Sequence, residues 1–191
     1  MNGKFLLFVV TGLLLFSLPA FGAQGVATVN STAEGSSAVF GDVKFSDTNQ
    51  GLKVEAKLAN VPHPGKHGFH IHENGSCAES GKAAGGHYNP MAVDHGLLPK
   101  DGKNHAHLGD MGNIEITSDG AGTLSIILPG VSLKNGDHNV EGRAVILHEK
   151  EDDFGQPTGN AGGRIGCGII MVTKEAAQPA QAAPSETKPK E

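Results

Sequence analysis

An all-β fold, an antiparallel sandwich or flattened barrel of about eight strands with two long functional loops, is what this 191-residue sequence predicts. Three features point there. Short runs rich in Val, Ile, Phe and Thr recur at close intervals, turn dipeptides separate them, and helical periodicity is hard to find beyond the first twenty residues. Taken in order, the runs are GVATVN near residues 25–30, AVFGDVKF from 38, GLKVEAKL from 51, GFHIHE from 68, GNIEITSDGAGTLSIIL from 112, GRAVILHEK from 142 and GCGIIMVT from 166. Asn49-Gln50-Gly51, Asp119-Gly120 and Asn135-Gly136 supply the turns. With 28 glycines and no tryptophan, tight loops matter as much as the core. Residues 73–112 and 149–165 form connections too long for simple turns, and such loops are commonly functional.

The two ends read differently from the middle. Lys4, the apolar run Phe5–Leu18, Pro19 and small residues have the layout of a secretory signal peptide over residues 1–23, with cleavage expected after Gly22 or Ala23. A retained membrane anchor is the rival reading, but Pro19 and the small residues would continue a helix poorly, so no stable membrane insertion is expected after cleavage. Residues 174–191 are Ala, Pro, Gln, Lys and other small or polar types, which cannot bury enough surface to order, so a disordered tail is expected. That leaves residues 24–173 for one domain. The chain has 15 basic and 20 acidic side chains, a net −5, and loss of the leader removes only Lys4, taking the balance to −6. An acidic chain without a basic block is a poor nucleic-acid binder. Two cysteines, Cys77 and Cys167, suit an exported protein with a single disulfide, periplasmic or extracellular, although two buried thiols would also satisfy the count.

The sequence HGFHIHENGSC, residues 67–77, holds three of the ten histidines and one of the two cysteines. On a strand, alternate side chains share a face, so Phe69 and Ile71 point one way and His70 and His72 the other. Two imidazoles side by side on an outer face suit adjacent ligands of a transition metal. His67 has the parity of Phe69 and Ile71 and is expected on the core side as a hydrogen-bonding residue. A lone H-x-H is a weak signal. Here, however, His87 in GGHYNP, His95 in DHGLLP, His107 and Asp110 in HAHLGDMGN, and His148 in VILHEKEDD accompany it, the donor set a two-metal site would need.

These motifs, taken in order as HGFHIHE, GGHYNP, HLGDMGN, GRAVILHEKEDD and GNAGGRIGCG, make residues 26–173 resemble the copper-zinc superoxide dismutases. The resemblance implies Greek-key connections and one copper and one zinc ion per subunit. It implies that His70, His72 and His148 hold copper, that His87 bridges copper to zinc, and that His95, His107 and Asp110 complete the zinc set. Arg164 matches the arginine that receives the anionic substrate, Asp152 the aspartate that links ligands of both metals, and Cys77 and Cys167 the disulfide pair. The implied activity is dismutation of superoxide to dioxygen and hydrogen peroxide, with His87 as proton donor. Self-association as a homodimer is left open.

Some features depart from the pattern. The twelve residues from His95 to His107 are more than the family leads one to expect, and they bring in His105 as a competing donor; the H-x-x-D spacing favours His107. The loop QPTGNAGG is short, and AESGKAAGG resembles exported bacterial members. Lys66 and Lys150 are candidates for guiding the anion, with solvated lysines the simpler expectation. His63 and His138 fit no motif and are expected at the surface. A copper-carrying module of the same fold would lack a copper ligand or Arg164, and a zinc-only binding domain would leave His70, His72 and His148 idle.

Overall fold

In a computed structural model, residues 22–36 and 38–174 are described. The expected leader, apart from its last two residues, and the expected tail beyond Lys174 lie outside them. Among the described residues nine strands form: β1 Gln24–Ser31, β2 Val39–Thr48, β3 Gly51–Leu58, β4 Gly65–His72, β5 Asp110–Ile116, β6 Gly122–Leu128, β7 Ala144–His148, β8 Arg164–Ile169 and β9 Met171–Lys174. Their order is β2-β3-β6-β5-β4-β7-β8-β1-β9, and an additional β1–β2 pairing closes eight of them into an antiparallel barrel. The pairings of β3 with β6 and of β4 with β7 are the Greek-key crossovers. Closure leaves no unpaired edge among the eight strands, and β9 is the extra strand, alongside β1.

The barrel interior follows the alternation read from the sequence. Val54, Phe45, Phe69, Ile71, Ile114, Val145 and Leu147 are buried in one continuous core. The run GCGIIMVT, read as one strand, is split. Ile170 is fully buried and its N–H donates to the Arg143 carbonyl, so the chain leaves the ladder at that residue and β9 starts after it. Reading alternation alone sees the run and misses the one-residue break.

All five residues of β7 and the last six of β4 are buried, not every second one. On β7, Val145 and Leu147 face the barrel core, while Ala144 and Ile146 join Cys167 and Ala84 in a second, smaller cluster against which Cys77 packs. The connection 73–109 produces this two-sided burial by folding back over the outer face of the barrel. It contains a 3-10 turn at Lys82–Ala84 and a short helix, α1, at Leu98–Asp101 with Pro99 in its first turn. The Cys77–Cys167 disulfide bolts this connection to β8.

Candidate metal centre

The outer face of β4 is the floor of the site. His70 and His72 share it, 0% and 1% exposed, because the two long connections roof it over. His148 ends the neighbouring strand β7, Asp110 begins β5, and Arg164 begins β8. His87 joins from the first connection through a bridge pairing with His72. His67 lies on the opposite face, as its parity requires. It is buried, with Nδ1 2.8 Å from the His148 carbonyl and Nε2 2.8 Å from that of His63, so it ties the end of β7 to the turn before β4.

Two groups of donors result. His70, His72, His87 and His148 form one; His87, His95, His107 and Asp110 form the other; within each, the donor atoms lie within 4.8 Å of one another. His87 belongs to both. Its Nδ1 is 2.9 Å from Asp110 Oδ1 and 3.4 Å from His107 Nδ1, which places that nitrogen in the second group and leaves Nε2 for the first. His107 is buried and belongs to the group, whereas His105 is exposed and outside it. Among the candidate guides, Lys66 is paired in solvent with Glu151 at 3.1 Å. His63 is exposed, while His138 is half-buried and its carbonyl accepts from Ser132 N–H.

Ring orientation is fixed from behind. His72 Nδ1–H donates to the Gly85 carbonyl (2.9 Å) and His148 Nδ1–H to that of Gly162 (3.4 Å). Both Nε2 atoms are then lone-pair acceptors, yet they face each other at 3.3 Å. Two acceptors held together in a dry site need a shared electrophile. The two nitrogens are close enough for one transition-metal ion to be held by both. His70 Nδ1 and His95 Nδ1 are buried without any hydrogen bond, and both belong to these groups. His95 Nδ1 does lie 2.9 Å from Asp110 Oδ2, but not in hydrogen-bonding geometry, as two ligands of one ion would stand. The residues present therefore fit two metal ions.

Asp152 joins the two groups. Its carboxylate accepts from His70 Nε2–H at 2.8 Å and from His95 Nε2–H at 2.9 Å, leaving each ring's Nδ1 for its own group. His70, His95 and Asp152 also lie close enough to one another to resemble a third metal group, but the rings donate to the carboxylate there, which makes it a support. The main chain of Asp152 is held in turn by Asn113, whose amide donates to its carbonyl and accepts from its N–H, both at 2.8 Å. Gln156 makes the same pair of bonds to His95, both at 2.9 Å. A side chain added at Gly159, where φ is +75°, would collide with the Asp152 carboxylate, so only glycine fits. Asn113 ends the HLGDMGN motif, but its role and that of Gln156 depend on long-range pairing that spacing does not reveal.

Arg164 is anchored by main-chain carbonyls. Nη1 donates to Gly81 (2.6 Å) and more weakly to Lys82 (3.4 Å), and Nη2 donates to Gly85 (2.5 Å). The Gly85 carbonyl thus serves both Arg164 and His72. All three acceptors lie in the segment that the disulfide fixes to β8.

The electrostatics separate the two groups. Burial lowers the pKa of His72 to about 2, with the neighbouring His87 ring adding to the effect, and that of His148 to about 3, with His70 and His87 adding. Burial also lowers His87, to about 4, against the pull of Asp110. For His95 burial is outweighed by the Asp110 and Asp152 carboxylates, which raise it to about 9. Asp110 and Asp152 stay ionised far below the usual carboxylate range, because histidine hydrogen bonds overcome the cost of burial.

A closed Greek-key barrel whose outer face presents two donor groups sharing one imidazole defines a β-barrel protein with a candidate two-metal centre. A family model described as copper/zinc superoxide dismutase matches residues 39–170. The chain belongs to that family. An extracellular copper-zinc superoxide dismutase of Caenorhabditis elegans is 38% identical over 144 residues, 72% of this chain and 63% of that protein, so this chain spans less than two thirds of its length. A putative copper-zinc superoxide dismutase of Autographa californica nuclear polyhedrosis virus is 38% identical over 145 residues, 71% of this chain and 93% of that protein. Among solved structures, a SOD-like protein from Bacillus subtilis has 31% identity and a TM-score of 0.66, covering 80% of this chain and 100% of its own. The clock protein EA4 has 33% identity and a TM-score of 0.69, covering 79% and 95%. Because a protein described as a clock protein shares the fold, activity must be argued from the site.

Proposed function

We propose that the chain catalyses dismutation of superoxide, two superoxide anions and two protons giving dioxygen and hydrogen peroxide. The observation that carries this reading is the presence of His87 in both donor groups, one of imidazoles alone and one completed by a carboxylate. Four imidazoles, His70, His72, His87 and His148, suit copper; His87, His95, His107 and Asp110 suit zinc. When bound, copper supplies the one-electron chemistry, taking an electron from one superoxide and returning it to a second.

The chain's own residues do the rest. Arg164 presents a fixed positive charge, with three of its five N–H donors spent on carbonyls and the others available to an anion. His87 can hold a proton on Nε2 and pass it to the nascent peroxide, because Nδ1 is occupied in the zinc group. Asp152 keeps His70 and His95 each turned toward its own ion. Export to an oxidising compartment, periplasmic or extracellular, accords with the Cys77–Cys167 bond and with the extracellular description of the nematode relative.

The test is metal analysis with a superoxide-consumption assay on the purified protein and two variants. His148→Ala is expected to abolish turnover, and Arg164→Ala to retain copper while turning over far more slowly. Full turnover by protein without bound copper sinks the reading.

A further inference from the structure

We propose that Gln156, with Phe154 beside it, is a positioning residue for the zinc group, clamping His95 from the second connection. This rests on the zinc assignment above. His95 lies in the 73–109 connection, 61 residues from Gln156 in sequence, and belongs to no strand of the barrel. The Gln156 amide is the group that holds its main chain. Nε2–H donates to the His95 carbonyl and Oε1 accepts from the His95 N–H, each at 2.9 Å, as a neighbouring strand would do. The Phe154 ring stacks on the His95 imidazole, with centroids 6.2 Å apart and planes inclined by 19°. Phe154 pays for this position with a φ of 59°, a conformation that bulky residues rarely adopt. The same conformation lets its N–H donate to Asp152 Oδ1 at 2.8 Å.

The support for the clamp is built into the loop. Asp153 Oδ1 accepts from Gly155 N–H at 2.8 Å, and the Asp153 carboxylate accepts from the Asn160 amide at 3.1 and 3.2 Å. Gly159 N–H closes back on the Gly155 carbonyl at 2.6 Å. The short QPTGNAGG segment therefore acts as a tied turn that directs Gln156 at His95. His95 is then fixed at its main chain by Gln156, at its ring face by Phe154 and at Nε2 by Asp152, and only Nδ1 is left for the ion.

The test is zinc affinity, read by competition with a chromophoric chelator, and the visible spectrum of cobalt(II) placed in the zinc group, for the whole protein and for Gln156→Ala and Gln156→Glu. Copper(II) affinity and thermal unfolding of the metal-free protein are measured alongside. Removing a group that orients a metal ligand weakens binding by roughly ten- to a hundredfold. Loss of that size is expected in both variants, with an altered cobalt spectrum and near-unchanged copper affinity. Gln156→Glu, which fills the same volume but turns an acceptor toward the His95 carbonyl, is expected to bind zinc no better than Gln156→Ala. Zinc affinities within twofold of the unsubstituted protein overturn the proposal alone. So does a Gln156→Glu variant that binds as the unsubstituted protein does, or a fall in copper affinity and metal-free stability in proportion to the zinc loss. Failure of the unsubstituted protein to take up zinc or cobalt overturns the metal assignment and the proposal together.

Discussion

Asp152 is a single carboxylate with two histidine partners, and its replacement has a defined outcome. In Asp152→Asn the amide has one oxygen left and cannot accept equally from His70 and His95. Zinc binding is expected to weaken by roughly ten- to a hundredfold, measured by chelator competition. Protonation states give a second test. At pH 7.5 His95, raised to about 9, carries a proton that zinc must displace, whereas His72 and His148, lowered to about 2 and 3, carry none. Calorimetry in buffers of different ionisation enthalpy should find proton release on zinc binding at pH 7.5 that shrinks as pH is raised through 9. Proton release on zinc binding that does not change between pH 7.5 and 10 contradicts the assignment of His95 to that group.

The strand parity of β4 made His70 and His72 legible as a pair and put His67 on the other face, and His67 is indeed buried between two carbonyls. Their burial was not legible, because it comes from a connection folding over the barrel, and alternation within a strand says nothing of what covers it. The same reason hid Gln156 and Asn113, whose partners are 61 and 39 residues away. The split between β8 and β9 was lost because one inward-turning residue, Ile170, leaves the apolar pattern intact. The disulfide acts at this scale, joining residues 90 apart. Cys77→Ser is expected to destabilise the metal-free protein by roughly 2–5 kcal/mol in denaturant unfolding. It should also lower turnover with copper still bound, since the carbonyls that hold Arg164 lie in the freed segment. Unchanged turnover in that variant would show that Arg164 is held without the disulfide.

For the protein as a whole, metal-free stability should depend on pH in a sense fixed by the site. His72, His87 and His148 have folded pKa values of about 2, 4 and 3, below the unfolded value near 6.5. Between these limits the unfolded chain binds more protons, so stability falls as pH falls from 6.5. His95, raised to about 9, acts in the opposite sense: its contribution is complete below 6.5 and is lost as pH rises toward 9. Maximum stability of the metal-free protein is expected near pH 7, falling on the acid side by more than about 1.4 kcal/mol per pH unit, the slope for one proton. Urea midpoints from pH 4.5 to 9 would check it, and a monotonic rise across that range would contradict it.

The imidazole of His87, common to both donor groups, has a thermodynamic corollary. Two ions that share a ligand are not loaded as independent events: whatever factor the first imposes on the affinity for the second, the second imposes on the first. Filling the pair is therefore a closed cycle of four occupancy states, and three affinities measured around it fix the fourth.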